Sequence, residues 1–347
     1  MLCALFGAAC QPSIPLGPPA APLTPPAVLC TDAKPAGECS PADRVEAWLR
    51  SPNLTILGSA STPAGTQGAK VLTLAVPEPG GRVILRAKWR PMSSSSFTND
   101  PRKELGAYAV EKLFLEPHEY VAPPTVGHCF DLDHYRSLVE RAAPPMFEER
   151  GVRCAFGILA YWLENVGEPE GVHEKGLWSS DSIFDEKLFE SDRSYGKSVA
   201  DLNLLAYLIR HGDAHVHQFL ITKDRSSPRV YTVDNSIAFQ SIKNPMVFFR
   251  EDWSGIRVPA VSRRSIDRLR HLTDADWARL SVIEQYQKVG DRLVPVQPES
   301  LIGQPGDGER WVGIGLQIGL TDAEIQGVRN RLKSLVAQVD SGDLRTF

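Results

Sequence analysis

Residues 204–239 constrain the fold of this chain more than any other stretch. An apolar run typical of a helix ends at Arg210, and a polar loop with Asp213 and Gln218 follows it. A β-type run then ends at Asp234. Because a short loop and a following hairpin fold back on each other, the two carboxylates and the amide are expected to meet. The stretch therefore predicts a helix, a loop and a hairpin that present one polar site.

The spacing of these three side chains suits phosphoryl transfer. That reaction needs one carboxylate to accept the proton of the attacking hydroxyl, and oxygen ligands to hold a divalent cation against the phosphates of ATP. In protein kinases the catalytic Asp and the metal-binding Asn are five positions apart, as Asp213 and Gln218 are here. We therefore assign Asp213 as the general base, and Asp234 and Gln218 as ligands of Mg²⁺ or Mn²⁺. Ser236 replaces the usual Gly, which makes a positive φ less easy at that turn.

Two other interpretations of this loop remain open. His211, His215 and His217 together with Asp213 could form the metal site of a hydrolase, since imidazole and carboxylate suit zinc or iron. The loop could also be a plain polar turn with satisfied histidines. Neither alternative explains Asp234, so the spacing of the carboxylates and the amide favours a phosphotransferase.

Length and charge set broad limits on the class of protein. The 347 residues suffice for one two-lobed domain or two ordinary ones. A formal net charge of −4 argues against a dedicated nucleic-acid binder. We therefore expect no nucleic acid among the partners of this protein. The spacing of Asp213, Gln218 and Asp234 instead predicts a nucleotide and a hydroxyl acceptor.

The N-terminus predicts export. Residues 1–10 are apolar, with small residues directly before Cys10, as in a bacterial lipoprotein signal whose cysteine is lipidated. Residues 11–42 are rich in Pro and Ala, which is typical of an extended linker. We expect an extracytoplasmic protein that reaches the membrane only through this anchor. The alternative is a cytoplasmic protein with a ragged apolar start.

Four further cysteines bear on the same question. An even number of cysteines in an exported chain permits disulfides. Cys30 and Cys39 would close a short loop in the linker, and Cys129 and Cys154 could face each other on neighbouring strands. Four free thiols remain the alternative.

The region after the linker predicts a short helix and three strands. The helix covers residues 43–50, and the strands cover 53–57, 70–76 and 82–90. Alternation along the third strand places Lys88 and Arg90 on one face. A Gly-containing loop between the first two strands could lay backbone N–H groups over phosphates.

A helix that begins near Asp100 supplies a carboxylate. Asp100 and Pro101 are favourable at a helix N-terminus, and Glu104 lies in the first turn. A kinase requires a cation on the third strand that contacts phosphate and pairs with a helix carboxylate. Either Lys88 or Arg90 could pair with Glu104.

Several motifs resemble one family in order along the chain. They are Gly65-Thr66-Gln67 with Lys70, Ala87-Lys88-Trp89-Arg90-Pro91-Met92, Glu104-Leu105-Gly106-Ala107-Tyr108, Pro123-Pro124-Thr125-Val126, Asp213-Ala214-His215-Val216-His217-Gln218 and Val233-Asp234-Asn235-Ser236. The first four resemble the small lobe of the secretory-pathway kinases, which include the Golgi casein kinase and the proteoglycan xylosylkinase. The last two resemble the D-x-H-x-x-N and I-D-N/F-G motifs of the wider group, which takes in HipA-type and phosphatidylinositol-kinase-like proteins. The resemblance covers residues 58–239 and is patchy between 130 and 199.

The resemblance implies an α+β, two-lobed protein-kinase-like fold. Its β-rich small lobe would cover residues 43–155, and its mainly helical large lobe 156–347. The family's phosphate-binding residues fall on Gly65, Thr66, Gln67 and Lys70, and alignment on the following Pro places its lysine on Arg90. The acceptor would be a hydroxyl of a protein, sugar or lipid. A pseudokinase that binds a nucleotide or a partner without turnover is the second candidate.

The remaining segments predict elements without naming a substrate. Residues 153–166 are apolar enough for a buried strand and hinge, and residues 198–210 for the helix before the loop. Residues 245–253 and 265–289 are expected to supply helices of the large lobe. Thr321 with Glu324 predicts the capping box of a last amphipathic helix.

Overall fold

A computed structural model describes residues 27–30, 39–62, 68–95, 99–168, 184–214, 218–224, 226, 228–239, 252–299 and 307–347. Helices and several sheets alternate along these residues, so the predicted α+β class is confirmed. Within the described residues, none of the helices is both long and apolar enough to cross a bilayer.

The elements of the N-terminal part, in chain order, are β1 (Val28–Leu29), β2 (Cys39–Ser40), α1 (Ala42–Arg50), β3 (Thr55–Ser61), β4 (Lys70–Glu78), β5 (Gly81–Pro91), α2 (Arg102–Glu111), β6 (Thr125–Asp131), α3 (Leu132–Leu138) and β7 (Cys154–Tyr161). This part is built on a five-stranded antiparallel sheet of order β3-β4-β5-β7-β6.

The C-terminal part mixes helices with short sheets. Its elements are β8 (Val166–Gly167), α4 (Glu186–Ser191), α5 (Arg193–Ile209), β9 (Phe219–Thr222), β10 (Val230–Thr232), β11 (Ala260–Val261), α6 (Arg263–Arg270), α7 (Asp274–Ser281), β12 (Glu284–Val289), β13 (Arg292–Val296), β14 (Glu309–Val312), β15 (Gly315–Ile318), α8 (Asp322–Ser341) and β16 (Arg345–Thr346). The predicted hairpin is the antiparallel pair β9–β10.

Strand β5 separates an apolar core from a polar face, as its alternation predicts. Leu85, Ala87 and Trp89 are buried in the core on one side of the sheet. The Trp89 indole N–H donates to the hydroxyl of Tyr135 at 3.0 Å, which satisfies the one polar atom of that ring. The side chains between these residues therefore point to the opposite face, where α2 packs.

Helix α2 begins where the sequence indicates. A carboxylate oxygen of Asp100 accepts a hydrogen bond from the backbone N–H of Arg102 at 3.0 Å, and Pro101 precedes the first helical residue. The Arg102 guanidinium contacts Glu324 at 2.9 Å, and Glu324 closes the capping box with Thr321 that starts α8. The predicted last helix is confirmed, and it is tied to the start of α2.

Residues 284–289 form a strand, so the prediction of helix up to residue 289 was wrong there. Strands β12 to β15 make a four-stranded antiparallel sheet of order β13-β12-β15-β14. Glu284 and Tyr286 are buried while Gln287 is exposed, which is the alternation of a strand. Gly290, with φ of 64°, permits the tight turn between β12 and β13.

The four-stranded sheet covers the N-terminal sheet. Phe156 and Ile158 of β7 share an apolar cluster with Tyr286, Leu316 and Ile318. The predicted division between residues 155 and 156 therefore lies inside strand β7, whose eight residues are all buried. The chain on either side of that division contributes to one core.

Both cysteine pairs form disulfides. Cys129 and Cys154 are joined across the neighbouring strands β6 and β7, and Cys30 is joined to Cys39. The backbone N–H of Ala27 donates to the carbonyl of Ile84 at 2.9 Å. The end of the predicted linker is therefore part of the folded structure, and not a free tether.

Candidate functional site

Lys88 lies between two carboxylates from distant parts of the chain. Its Nζ is 2.9 Å from Oε1 of Glu104 on α2 and 3.0 Å from Oδ1 of Asp234 after β10. Burial acts to lower the pKa of Lys88, but the carboxylates of Asp234 and Glu104 outweigh burial and raise it. The ammonium group therefore stays charged between its two partners.

Asp234 occupies a constrained position directly after β10. Its φ of 57° and ψ of 52° lie in the left-handed region, which Asp adopts more readily than most residues. Oδ1 accepts a hydrogen bond from the hydroxyl of Ser236 at 2.9 Å and lies 3.3 Å from Nη1 of Arg90. Burial would raise the pKa of Asp234, but Lys88 and Arg90 hold it well below its usual range.

Asp234 is nevertheless accessible. Its side chain is 36% exposed, whereas those of Lys88 and Glu104 are 15% and 5% exposed. Its contacts with Lys88, Arg90 and Ser236 all fall on Oδ1. A charged carboxylate that is partly open to solvent can accept a ligand on its other oxygen.

Arg90 makes a different set of contacts from Lys88. Its Nη1 donates to Oδ1 of Asn99 at 2.6 Å and also contacts the hydroxyl of Ser236. The family alignment places the phosphate-binding lysine on Arg90, but the helix carboxylate Glu104 accepts from Lys88. Of the two cations on this strand face, Lys88 is therefore the one that pairs with the helix carboxylate.

The loop with Asp213 is joined to the Asp234 segment by backbone hydrogen bonds. The N–H of Val233 donates to the carbonyl of Gln218 at 2.8 Å, and the N–H of Gly212 donates to the carbonyl of Ile237 at 2.9 Å. These bonds hold the two segments side by side, as the short loop and hairpin predict.

Asp213 is buried, and its carboxylate is oriented by the amide five residues later. Nε2 of Gln218 donates to Oδ2 of Asp213 at 3.0 Å. Nδ1 of His211, which is fully buried, accepts the backbone N–H of Asp213 at 3.2 Å. The amide nitrogen of Gln218 is thus directed at Asp213, and its oxygen is free to serve as a cation ligand.

One predicted site residue, Lys70, lies away from Lys88, and others fall outside the described residues. Lys70 on β4 is paired with Trp89 on β5, so its side chain leaves the sheet on the face opposite to Lys88 and Arg90. Gly65, Thr66 and Gln67, the two histidines at 215 and 217, and Cys10 lie outside the described residues.

The described residues do not test the metal-site alternative. They contain no group of three His, Cys, Asp or Glu side chains placed to hold a metal ion. The proposed cluster of histidines would need His215 and His217, of which the structure says nothing.

Sequence reasoning missed Asn99 and the role of Ser236. Both side chains are buried and both contact Arg90. The only sequence signal at Asn99 is its place directly before the helix start at Asp100 and Pro101. Ser236 stood out as a departure from glycine, but its hydroxyl contacts depend on the fold.

A cavity of about 1000 Å³ lies beside the C-terminal end of α2. It is lined by Tyr108 and Lys112 of α2, by Glu46 and Arg50 of α1, and by Glu284 of β12 among others. Lys88, Asp213 and Asp234 are not in its lining. The cavity is therefore separate from the site formed by Lys88, Glu104 and Asp234.

Two sequence comparisons give no relative of this chain. No family model matches the chain. A search of curated proteins finds no significantly similar sequence. The assignment of a function therefore depends on the described residues themselves.

Proposed function

We propose that this protein is an ATP-dependent phosphotransferase that acts on a hydroxyl acceptor. The observation that carries the proposal is the position of Lys88, whose ammonium lies against Glu104 and Asp234 at once. Kinases use this arrangement to hold a lysine at the nucleotide phosphates beside a metal-binding carboxylate. An ion-pair cluster with a purely structural role would not need the Asp234 side chain to be partly exposed.

The order of elements supports a two-lobed, kinase-like arrangement. An antiparallel sheet carries the cation on its third strand, a helix with the paired Glu follows, and a loop and hairpin then supply Asp213 and Asp234. We infer that the five-stranded sheet and α2 form the small lobe. The remainder forms the large lobe, except for the four-stranded sheet, which packs against β7 of the small lobe.

Each residue of the cluster has a role in this proposal. Lys88 binds phosphate oxygens, and Glu104 keeps its ammonium in place. Asp213 accepts the proton of the attacking hydroxyl, with its carboxylate oriented by Gln218. Because the carboxylate of Asp234 is ionised and partly exposed, it can hold a cation.

The donor set fits a hard cation. Carboxylate oxygens of Asp234 and the amide oxygen of Gln218 are ligands that Mg²⁺ and Mn²⁺ accept. When bound with ATP, such a cation would neutralise charge on the phosphates. No transition-metal ligand set is required.

The disulfides support a location outside the cytoplasm. Both Cys30–Cys39 and Cys129–Cys154 are formed, and disulfides persist in oxidising compartments. We propose that the protein acts there, attached to a membrane through Cys10.

Nucleotide binding is tested by thermal unfolding with ATP and either Mg²⁺ or Mn²⁺. Ligand at about a hundred times its Kd should stabilise the wild type by roughly 2.7 kcal/mol. Asp234→Ala should lose the metal-dependent part of this stabilisation. Asp224→Ala, at an exposed turn of the same hairpin, is the matched control and should keep it. Unchanged metal dependence in Asp234→Ala would exclude Asp234 from the site.

Turnover tests the role of Lys88. We expect Lys88→Ala to reduce phosphoryl transfer or ATP hydrolysis about a hundredfold or more, as when a donor to a developing charge is removed. Lys70→Ala on the opposite face of the sheet should retain the wild-type rate. Equal rates in the two variants would refute the assignment of Lys88.

A nucleotide-binding module without turnover is the second candidate. The contact that favours it is the amide of Gln218, which donates to the carboxylate expected to act as the base. ATP-dependent stabilisation without turnover, over a broad set of hydroxyl acceptors and with either cation, would support this candidate.

A further inference from the structure

We infer that Arg90, Asn99 and Ser236 form a clamp that fixes the orientation of Asp234, and that Arg90 is a positioning residue and not a phosphate ligand. We call these three residues the Asp234 clamp. The inference rests on the proposed function, in which Asp234 holds the cation.

The clamp is centred on one guanidinium nitrogen. Nη1 of Arg90 donates to Asn99 Oδ1 at 2.6 Å, contacts the Ser236 hydroxyl and lies 3.3 Å from Asp234 Oδ1. The Arg90 and Asn99 side chains are about 5% exposed, and Ser236 is fully buried. Arg90 is therefore enclosed by protein groups and is directed at Asp234 from the interior.

The Ser236 hydroxyl contributes what glycine cannot. It accepts from Arg90 and donates to Asp234 Oδ1 at 2.9 Å, and a hydroxyl can do both at once. Serine at this position thus links the guanidinium to the carboxylate. Where the family has glycine, this chain has a hydroxyl that contacts both Arg90 and Asp234.

The backbone around the clamp is held as well. The N–H of Asp100 donates to the carbonyl of Ser236 at 3.0 Å, and the N–H of Phe239 donates to the carbonyl of Ile209 at 2.6 Å. The Phe239 ring lies against α2, 3.0 Å from where a Cβ on Gly106 would be. These bonds fix the backbone after Asp234, and the N–H of Val233, which donates to the carbonyl of Gln218 at 2.8 Å, fixes it before Asp234. Side-chain contacts then decide the direction of the Asp234 carboxylate.

The left-handed conformation of Asp234 gives the clamp a physical task. A non-glycine residue at φ of 57° is strained by an amount that surrounding contacts must offset. Arg90, Ser236 and Lys88 all attract Oδ1, and this favours the observed conformation over others. The clamp thus holds the Asp234 carboxylate in one orientation before a cation binds.

Replacing Arg90 by Lys separates a positioning role from a phosphate-binding role. Lysine keeps the charge but loses the planar fork that reaches Asn99 and Ser236 together. If Arg90 bound phosphate, Arg90→Lys would restore the family's residue and retain turnover. Under the clamp, Arg90→Lys should weaken the Mn²⁺ dependence of ATP binding about tenfold, with the affinity for metal-free ATP unchanged.

Ser236→Ala should have the same effect through a different side chain. It leaves the charge of Arg90 in place and removes only the shared hydroxyl. We expect the apparent Kd for Mn²⁺ at saturating ATP to rise about tenfold, and the double variant Arg90→Lys/Ser236→Ala to be no worse than either single variant. Arg86→Ala, two residues before Lys88 on the same strand face and paired with Glu164, is the control and should match the wild type.

The outcomes distinguish the clamp from the proposed function. If the wild type shows no metal-dependent ATP stabilisation, the proposed function fails and so does the clamp. If the wild type shows it and both Arg90→Lys and Ser236→Ala keep the wild-type Mn²⁺ dependence, the clamp alone is refuted. Loss of melting temperature without a change in Mn²⁺ dependence would also refute it, because that result indicates a structural role only. Where Arg90→Lys does not fold, Ser236→Ala and Asn99→Ala carry the test.

Discussion

The choice between two cations on one strand face is decided at single-residue scale. Lys88 and Arg90 are about 7 Å apart at the usual strand rise, and both side chains leave the sheet towards α2. The compact ammonium of Lys88 reaches Glu104 and Asp234, while the longer Arg90 extends to Asn99 and Ser236. Their different shapes give the two cations different tasks.

Glu111 is a buried carboxyl group for which we predict a pH effect. Oε2 accepts backbone hydrogen bonds from Val121 and Ala122, both at 2.9 Å, and the side chain is fully buried. Burial raises the pKa of Glu111 to about 8, although these N–H groups and the charges of Lys112 and Arg229 act to lower it.

The direction of this pH effect follows from proton binding. Between about pH 4.5 and 8 the native state binds the Glu111 proton and the unfolded chain does not. The free energy of unfolding should therefore fall as the pH rises through this window. Glu111→Gln should remove that part of the decline, as measured by urea unfolding at several pH values. Parallel profiles for wild type and variant would contradict this account.

At the scale of elements, α2 connects the sheet to the Asp234 segment through a close contact at Gly106. A Cβ there would lie 2.5 Å from Cδ2 of Leu320 and 3.0 Å from Cε2 of Phe239, both of which are buried. Glycine costs a helix about 1 kcal/mol relative to alanine. The close approach explains why it is nevertheless present in α2.

We predict that Gly106→Ala destabilises the protein in spite of its better helix propensity. Overpacking of a buried contact typically costs about 1–3 kcal/mol, which exceeds the gain in propensity. The helical Gly327 of α8 is a matched control, since the nearest atoms to a Cβ there, from 3.3 Å, belong to the flexible guanidinium of Arg331. Thermal unfolding should show a loss for Gly106→Ala and little change or a gain for Gly327→Ala. A gain in stability in both variants would show that α2 can shift to make room for the added methyl group.

On the scale of the whole molecule, the C-terminal sheet joins the two halves of the chain. The N–H of Arg153 donates to the carbonyl of Asp291 at 2.7 Å, and Arg292 contacts Asp131 at 2.7 Å. With the apolar cluster around Phe156 and Tyr286, these contacts make the sheet of β3 to β7 depend on residues from the far end of the chain.

The two disulfides should contribute unequally to the stability of the whole protein. Cys129 and Cys154 are separated by 25 residues, and Cys30 and Cys39 by 9. A bridge that closes a longer loop removes more entropy from the unfolded chain, within a typical range of about 2–4 kcal/mol. Urea unfolding should show a larger loss for Cys129→Ala/Cys154→Ala than for Cys30→Ala/Cys39→Ala. The reverse order would show that loop closure does not dominate.

Local signals in the sequence determined much of this protein. The start of α2 at Asp100 and Pro101 and the capping box of Thr321 and Glu324 depend on neighbouring residues, which a sequence displays directly. The alternation of β5 likewise reflects a period of two that any strand must follow. Asp213 and Asp234 could be placed near each other because only a loop and a hairpin separate them.

Only the tertiary structure decided which groups meet over long distances. Strand alternation leaves Lys88 and Arg90 equivalent, and their partners depend on how closely α2 approaches, which Gly106 and residues more than two hundred positions away determine. The packing of β12 to β15 on the N-terminal sheet likewise depends on contacts between residues far apart in the sequence. Glu284 and Tyr286 form a strand because partners from β13 and β15 and the surface of β7 are present, and no local pattern records those partners.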